Sequence, residues 1–520
     1  MSDYRRSILP ALLILLLFGA GVYVFAQDVV NNDTTSLAYV GLISLGVTFM
    51  VAIIHNWRNG VYFFFAWLLF EDFARKFMGN NMAIFFAKDA LIVVVYLSYF
   101  LAYRRKSVKT FRPPFLVPLL LFVWFGIMQV FNPASSTIFY GILGVKLFFS
   151  YIPLLFLGYA LINSEAELRK FFVVNIFFAL IIAGLGIAQS ITGPSFLNPE
   201  HPAEEIRELS TLYRTAPISG LSAYRANSVF VSHGRYSSYV LVIWLLILGY
   251  TGYLLLRHRR GRNFAFIALT VVFGAIMMAA SRGLFMWGSG SAVAIAAAFL
   301  WGAPWRQGEV ARVFRTIQRS GLAIALALVA LFFIFPDQLL SRLTIYSETL
   351  TPGSSASELQ SRVWDYPLEN FFKAFQYDRW PYGFGIGTSS LGVQYVAHTL
   401  HQQPMGVGVE SGFGSIVVEM GIGGLALWLI MSFAIVWSCW KVVKKLRGSP
   451  WFPIGFVIFW YALILLLPIT FTGMSMYEDF VPNAYLWLSL GVLFRLPSIV
   501  PSVQFALAPS RPRKPTLRMR

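Results

Sequence analysis

Four basic side chains stand where a hydrophobic sequence should have none. Lys88 and Lys146 lie inside apolar runs, Arg235 opens another, and Arg282 sits in the Ser281-Arg282-Gly283 break between two more. Ionisable groups at membrane depth are costly, so each is a functional candidate until explained otherwise. A diphosphate in a partly desolvated pocket calls for such donors, with arginine able to grip two oxygens at once. The competing reading is snorkelling, in which each cation merely reaches the headgroups. It weighs more for Arg235 and Arg282, near the ends of their runs, than for the two deeper lysines. Lys88 has Glu71 or Asp72 as candidate partners, and its neighbour Asp89 cannot face the same way on a helix.

Other chemistries are poorly represented. His398 and His401 are three residues apart, but no His-Glu-x-x-His pattern accompanies them and Cys439 is the single cysteine, so neither metal nor disulfide is expected. Cys439 is expected to be a small core residue. No Gly-x-Ser-x-Gly elbow is present. Alternate glycines at Gly383, Gly385 and Gly387 imply turns or close backbone approach; without a Gly-Lys-Ser/Thr sequence they are no nucleotide loop. No cofactor is implied.

The elements that must position these residues are membrane helices. The chain of 520 residues is 57% hydrophobic and 12% charged, outside the range of soluble globules. Apolar runs fall near 8–26, 38–54, 60–72, 82–103, 114–131, 137–162, 171–190, 229–256, 264–281, 284–301, 320–335, 411–438, 451–471 and 482–495. At ~1.5 Å per residue these predict an all-α, polytopic transmembrane bundle of about fourteen helices. The first run reads as a retained anchor, being longer than a signal-peptide core. The expected division is residues 1–335 for helices one to eleven, 336–411 for a large loop, 412–497 for the last three helices and 498–520 for a basic tail.

Charge distribution sets the sidedness. Most of the 41 lysines and arginines fall in the segments that lie inside if the N-terminus is inside, including clusters at 104–112, 257–262, 306–319, 441–447 and beyond 495. The net charge of +18 is therefore a topology signal rather than a nucleic-acid footprint. Both termini are expected in the cytoplasm, and loops 191–228 and 336–411 on the exterior together with Ser281-Arg282-Gly283. Lys88 and Lys146 then lie roughly 9 and 13 Å below the outer face at the helical rise. Within the large loop, 351–357 reads as a flexible link. Leu359, Val363, Trp364, Leu368, Phe371, Phe372 and Phe375 follow at helical spacing, with Pro367 as a break or kink.

Several short motifs, in order along this architecture, resemble those of the bacterial O-antigen ligase and polysaccharide polymerase superfamily of membrane glycosyltransferases. They are Lys88-Asp89, Gly144-Val145-Lys146, Val231-Ser232-His233-Gly234-Arg235, Ala280-Ser281-Arg282-Gly283, Ser361-Arg362-Val363-Trp364, Pro381-Tyr382-Gly383-Phe384-Gly385, Glu410-Ser411-Gly412 and Glu419-Met420-Gly421. The resemblance implies a multi-pass protein of the bacterial inner membrane acting on glycan carried by undecaprenyl diphosphate in the outer leaflet. Flippase and chain-length or export proteins are the partners it implies, beside the lipid bilayer; no nucleic acid is among them.

Carried onto this sequence, the diphosphate would be held by Arg235 and Arg282, helped by Lys88 and Lys146. The ligase branch carries a histidine near the end of the large loop, often in a His-Asn pair, to activate the acceptor hydroxyl; here Glu410-Ser411 stands in that place. That departure leaves the general base open: Glu410 would be the first candidate, with His398 and His401 as alternatives. A carboxylate there would be desolvated yet favoured as an anion by the following helix N-terminus; the rival role is a simple helix cap. Arg362, Trp364, Trp380 and Tyr382 would line a sugar cleft, and Glu419 would anchor a buried cation. The expected reaction is inverting, metal-independent polymerisation of lipid-linked repeats. Transfer to a lipid or protein acceptor is the variant within the same chemistry. A proton-coupled transporter using Lys88, Asp89 and Lys146, or a glycan-export scaffold, is the alternative of another class.

Overall fold

The computed structural model describes residues 50–199, 212–257, 261–303, 318, 329, 332–351, 354, 357–390, 392–401 and 408–499. Most of the expected runs at 8–26, 38–54 and 320–335, and nearly all of the 498–520 tail, lie outside them. The described chain is overwhelmingly helical: α1 Trp57–Phe77, α2 Met82–Arg104, α3 Leu116–Gln129, α4 Ile138–Phe149, α5 Leu154–Leu161 and α6 Glu165–Thr192. A hairpin of β1 Tyr213–Thr215 and β2 Ser222–Tyr224 precedes α7 His233–Arg257, α8 Arg262–Met278, α9 Arg282–Gly302 and α10 Pro336–Leu350. Then come α11 Tyr366–Lys373, α12 Val393–Thr399, α13 Gly412–Leu446, α14 Phe452–Ile464, α15 Ser475–Glu478 and α16 Phe480–Arg495.

Seven helical segments among the described residues are long and apolar enough to cross a membrane: Met82–Arg104, Ile138–Leu161, Glu165–Thr192, His233–Arg257, Arg282–Gly302, Gly412–Leu446 and Phe452–Thr472. Leu116–Gln129 and Arg262–Met278 are apolar but shorter. The protein is accordingly a membrane-type helical protein.

Two units are distinguished. The first, in its described part, comprises 50–67 and 86–107. Its core is Val61, Phe64, Leu91, Ile92 and Val95, with Trp57 edge-on to Tyr99 at 5.2 Å. The Ser98 hydroxyl donates to the Ile53 carbonyl at 2.8 Å, returning a polar group to backbone where water is scarce. Lys88 is fully buried in this unit.

The second unit holds 68–85 and everything described beyond 107. Helix α7 is the most enclosed of the seven spanning segments, packed by α6, α8, α9, α14 and α16. The closest helix pair is α5 with α16, where a β-carbon on Gly158 would stand 2.1 Å from the Leu488 carbonyl oxygen and one on Gly491 2.1 Å from that of Leu155. Small residues let backbones meet there, the usual means of tight helix association without a hydrophobic driving force. Cys439 is buried, as a core residue should be.

The large loop carries more structure than its composition suggests. Helix α10 was not anticipated, although Leu339, Arg342, Ile345, Tyr346 and Thr349 form its buried stripe at helical spacing. The expected amphipathic helix over 358–377 is present as one unbroken helical run over 359–376, whose hydrogen bonding changes along it: a π turn at Ser361–Asp365, α11 with Pro367 near its start, and a 3-10 turn at Ala374–Gln376. The widened turn just before Pro367 lets the run pass a residue that has no N–H to donate. The three alternate glycines adopt positive φ, 78°, 107° and 85°. At Gly387 an added β-carbon would lie 2.1 Å from the Tyr140 carbonyl oxygen, so this strand of loop runs directly against α4.

Candidate functional site

The sequence-derived cations divide between two charged groups in the second unit, Lys88 excepted, which lies in the first. Arg235 follows the N-terminal residues of α7. Its Nη1 donates to both carboxylate oxygens of Asp72, at 2.9 and 2.8 Å. Asp72, on α1, is also 3.4 Å from Arg75 and accepts the Val231 N–H at 3.2 Å. Lys76, one residue further, donates to the Ser228 carbonyl at 2.6 Å. Lys146 lies over the rings of Phe85 and Phe480, at 4.6 and 5.3 Å, and the Arg235 guanidinium is 5.6 Å from the same Phe480 ring. Lys146 and Arg235 thus share one aromatic platform. Glu71 and Asp479 add further negative charge beside Arg235.

Arg282 belongs to the other group. Ala280 takes a positive φ of 51°, Ser281 caps α9 by accepting the Leu284 N–H, and Arg282 is the first residue of the helix. Its Nη1 pairs with Oε1 of Glu358, whose other oxygen accepts from Arg362 Nε at 3.2 Å. The Arg362 guanidinium lies 5.2 Å from the centre of the Tyr366 ring, and the Glu410 carboxylate is a close neighbour of Tyr366 that raises its hydroxyl pKa. Neighbouring side chains therefore lead from Arg282 through Glu358 and Arg362 to Tyr366, with Glu410 beside it. Arg282 and Arg362 hold the Glu358 carboxyl below the usual carboxylate range, against the opposing effect of its partial burial.

Two arginines that the motifs did not single out complete this group. Arg214 is the middle residue of β1, and Arg225 directly follows β2. Burial and then the neighbouring charges of Arg282 and Arg225 push Arg214 down to about 10. Burial and Arg282 lower Arg225 likewise. The shifts record desolvation together with crowding of like charge rather than real loss of protons, since a guanidinium stays charged in proteins. Regular alternation along the hairpin would have placed the two on one face; the short strands hid it.

The remaining predicted residues disperse. Glu410 is exposed rather than desolvated. The capping role falls to Ser411, whose side chain accepts the Gly414 N–H at 3.4 Å. Trp364 is 60% exposed and its ring lies 6.2 Å from Phe471, beside Arg362 in sequence and open to solvent. Trp380 packs on Phe375 at 5.4 Å. Tyr382, 77% exposed, lines a separate pocket of about 610 Å3 with Gln129, Asn132 and Arg379. His398 falls on α12 and His401 follows it, exposed and with a φ of 52°. Glu419 corrects an expectation: its carboxylate anchors no cation but accepts the backbone N–H groups of Gly387 and Ser389, both at 2.9 Å. The glycine-rich turn exposes unsatisfied donors to the bundle, and a buried carboxylate satisfies two of them.

No family model matches the chain, and no curated protein matches it. The chemistry must therefore be argued from the two charged groups themselves. One is closed upon its own carboxylates. The other gathers Arg214, Arg282 and Arg362 around Glu358, with Arg225 beside Arg282 and Glu410 beside Tyr366. Such a cluster can bind a polyanion and place a carboxylate near it.

Proposed function

We propose that the protein is a multi-pass glycosyltransferase of the O-antigen polymerase and ligase type, joining undecaprenyl-diphosphate-linked oligosaccharides at the outer leaflet of the bacterial inner membrane. In this reading the full chain crosses about fourteen times with both termini cytoplasmic. The observation that supports the proposal is the run of neighbouring side chains from Arg282 through Glu358 and Arg362 to Tyr366, with the Glu410 carboxylate beside Tyr366.

The acceptor hydroxyl attacks the anomeric carbon of the donor while the bond from that carbon to the diphosphate oxygen breaks, inverting the centre. Glu410 takes the hydroxyl proton, and undecaprenyl diphosphate leaves with the bonding electron pair. Arginine charge stabilises the departing diphosphate, where negative charge grows most. Arg362 and Trp364 are well placed to meet sugar beside the arginines. Trp380 and Tyr382 border the second pocket, and Arg235 with Lys146 supports the site through α7 and α4.

A second reading rests on the buried group of Asp72, Arg75, Lys76 and Arg235, because paired charges at membrane depth also occur along transport pathways. Purified protein supplied with lipid-linked repeats separates the cases. A ladder of lengths identifies a polymerase, and one transfer to an added acceptor a ligase. Proton-driven flux across proteoliposomes without glycan transfer identifies a transporter. Loss of glycan transfer in Arg282→Ala and Glu410→Gln supports the assignment of these residues, and unchanged transfer refutes it.

A further inference from the structure

The cavity beside Tyr382 is built on a break in a membrane helix. Helix α13 leaves helical geometry at Gly421, whose φ is 69°. Such a break strands backbone groups, which are costly to leave unsatisfied at membrane depth. The loop 380–385 takes them up. The N–H groups of Phe384 and Gly385 donate to the Val418 and Glu419 carbonyls at 2.8 and 2.9 Å, and the Ile422 N–H donates to the Trp380 carbonyl at 3.2 Å. A β-carbon on Gly421 would stand 2.3 Å from the Pro381 carbonyl oxygen, so the loop lies hard against the break. The same loop is tied to the end of α3, where Gln129 Nε2 donates to the Tyr382 carbonyl at 3.0 Å and Asn132 Nδ2 to that of Gly383 at 3.1 Å. These ties frame the cavity of about 610 Å3 between α3, α13 and the loop.

The lining narrows the choice of ligand. Phe125, Met128, Phe131, Pro133, Pro381 and Ile422 make most of it apolar. Two of its polar residues are engaged with one another and with backbone: Asn132 Nδ2 also donates to Gln129 Oε1 at 2.7 Å, and Asn132 Oδ1 accepts the Ala134 N–H at 2.9 Å. Arg379 and Tyr382, both exposed, are the lining side chains placed to meet a ligand's polar end. A sugar needs several converging polar groups, so this cavity suits one poorly. The apolar surface continues beyond it. Val117, Leu120, Trp124, Met128 and Phe131 form an exposed stripe at helical spacing along α3 and its end, and Ile422, Ile430, Phe433 and Trp437 form another down α13. Both stripes run into the cavity, through Met128 and Phe131 on one side and Ile422 on the other. At its mouth Arg379, Trp380 and Tyr382 combine a cation with the two aromatic types that collect at headgroup level.

We propose that this cavity is a specific site for one glycerophospholipid, an acyl chain lying along the α3 and α13 stripes into the cavity and the phosphate resting on Arg379. A guanidinium matches phosphate oxygens in pairs, which gives the headgroup a fixed contact. The chain covers apolar surface that the protein leaves open, and the bound lipid braces the loop over the break at Gly421. The charge asymmetry of the chain assigns the lipid to the outer leaflet. None of the lining residues belongs to the Arg282 group, and the site does not depend on the reaction proposed there.

The test is titration of the full-length protein in neutral detergent with phosphatidylglycerol, read by native mass spectrometry. Wild type is expected to hold one tight phosphatidylglycerol, to bind diacylglycerol of the same chains at least about tenfold more weakly, and to ignore glycerol phosphate. Arg379→Ala is expected to lose at least about tenfold for phosphatidylglycerol and nothing for diacylglycerol. Gly423→Leu, whose β-carbon meets the Phe125 ring at an ordinary 3.4 Å, fills the cavity and should weaken both lipids. Lys373→Ala, at an exposed lysine outside the cavity, should match wild type. No tight lipid on wild type, equal affinity for phosphatidylglycerol and diacylglycerol, or unchanged phosphatidylglycerol binding in Arg379→Ala overturns the site, and these arms do not depend on whether Gly423→Leu folds. Wild-type binding by a folded Gly423→Leu overturns the cavity as its location. Displacement of phosphatidylglycerol by a lower concentration of undecaprenyl phosphate would give the groove to a polyprenyl carrier and overturn the proposal as well.

Discussion

The Arg235 and Arg282 groups look alike in sequence and differ in how their charge is balanced. Arg235 meets Asp72 through two hydrogen bonds, and the Asp72 side chain is only 2% exposed. Arg282 meets Glu358, which is 37% exposed and shared with Arg362. The first group has Asp72, Glu71 and Asp479 to set against its cations; in the second, Arg282 and Arg362 share Glu358, with Arg214 close by. An enclosed carboxylate bonded to its cations holds helices in register, whereas a partly open carboxylate shared between arginines leaves those arginines able to meet a ligand from solvent. A motif search that treats every arginine at the start of a membrane helix as equivalent misses this distinction.

The comparison can be broken most forcefully at Asp72. Asp72→Ala leaves buried Arg75 and part-buried Arg235 without their shared carboxylate and is expected to cost about 3–5 kcal/mol of stability, read as a large fall in melting temperature in detergent. A small fall would mean that the Arg235 group is not structural. Glu419→Gln should come next, about 1–3 kcal/mol, because one backbone N–H of the 387–389 turn loses its charged acceptor. Ser411→Ala should cost about 1 kcal/mol as a lost helix cap, with glycan transfer retained once the protein is folded. Loss of transfer there would reassign the Glu410-Ser411 motif.

The smallest effect is expected at Glu358, and it should depend on pH. Its carboxyl is depressed in the folded state, so the contribution of its arginine contacts is fully present above the ordinary carboxylate value of about 4.3 and disappears as pH falls through the lower folded value. The melting-temperature gap between wild type and Glu358→Gln should be constant from about pH 5.5 upward and close only in stronger acid. A gap that closed near neutrality would place another group at the site.

The helices were legible because apolar runs need only length to declare themselves: the run read at 82–103 is Met82–Arg104, and 451–471 is Phe452–Thr472. The run at 137–162 also read correctly as one span, but it divides at Tyr151–Pro153 into α4 and α5, a break that Pro153 announced. The glycines at 383, 385 and 387 were read as close backbone approach, and their positive φ values agree. What stayed hidden lies between the helices. Strands of three residues give alternation no room to show, and the Pro217 to Gly220 turn that pairs them was the available clue. Arg214 and Arg225 therefore went unnoticed, while Arg235 was chosen for a location that Asp72, 163 residues away in sequence, turns into a structural one.

The most direct test of the account is the length distribution of glycan made by purified protein from a defined undecaprenyl-diphosphate-linked repeat, compared between wild type and Arg282→Ala. The account predicts a ladder of products with wild type and a loss of roughly 10²–10³-fold in rate with the folded variant, as expected when a donor to developing negative charge is removed. An undiminished ladder from Arg282→Ala would contradict it.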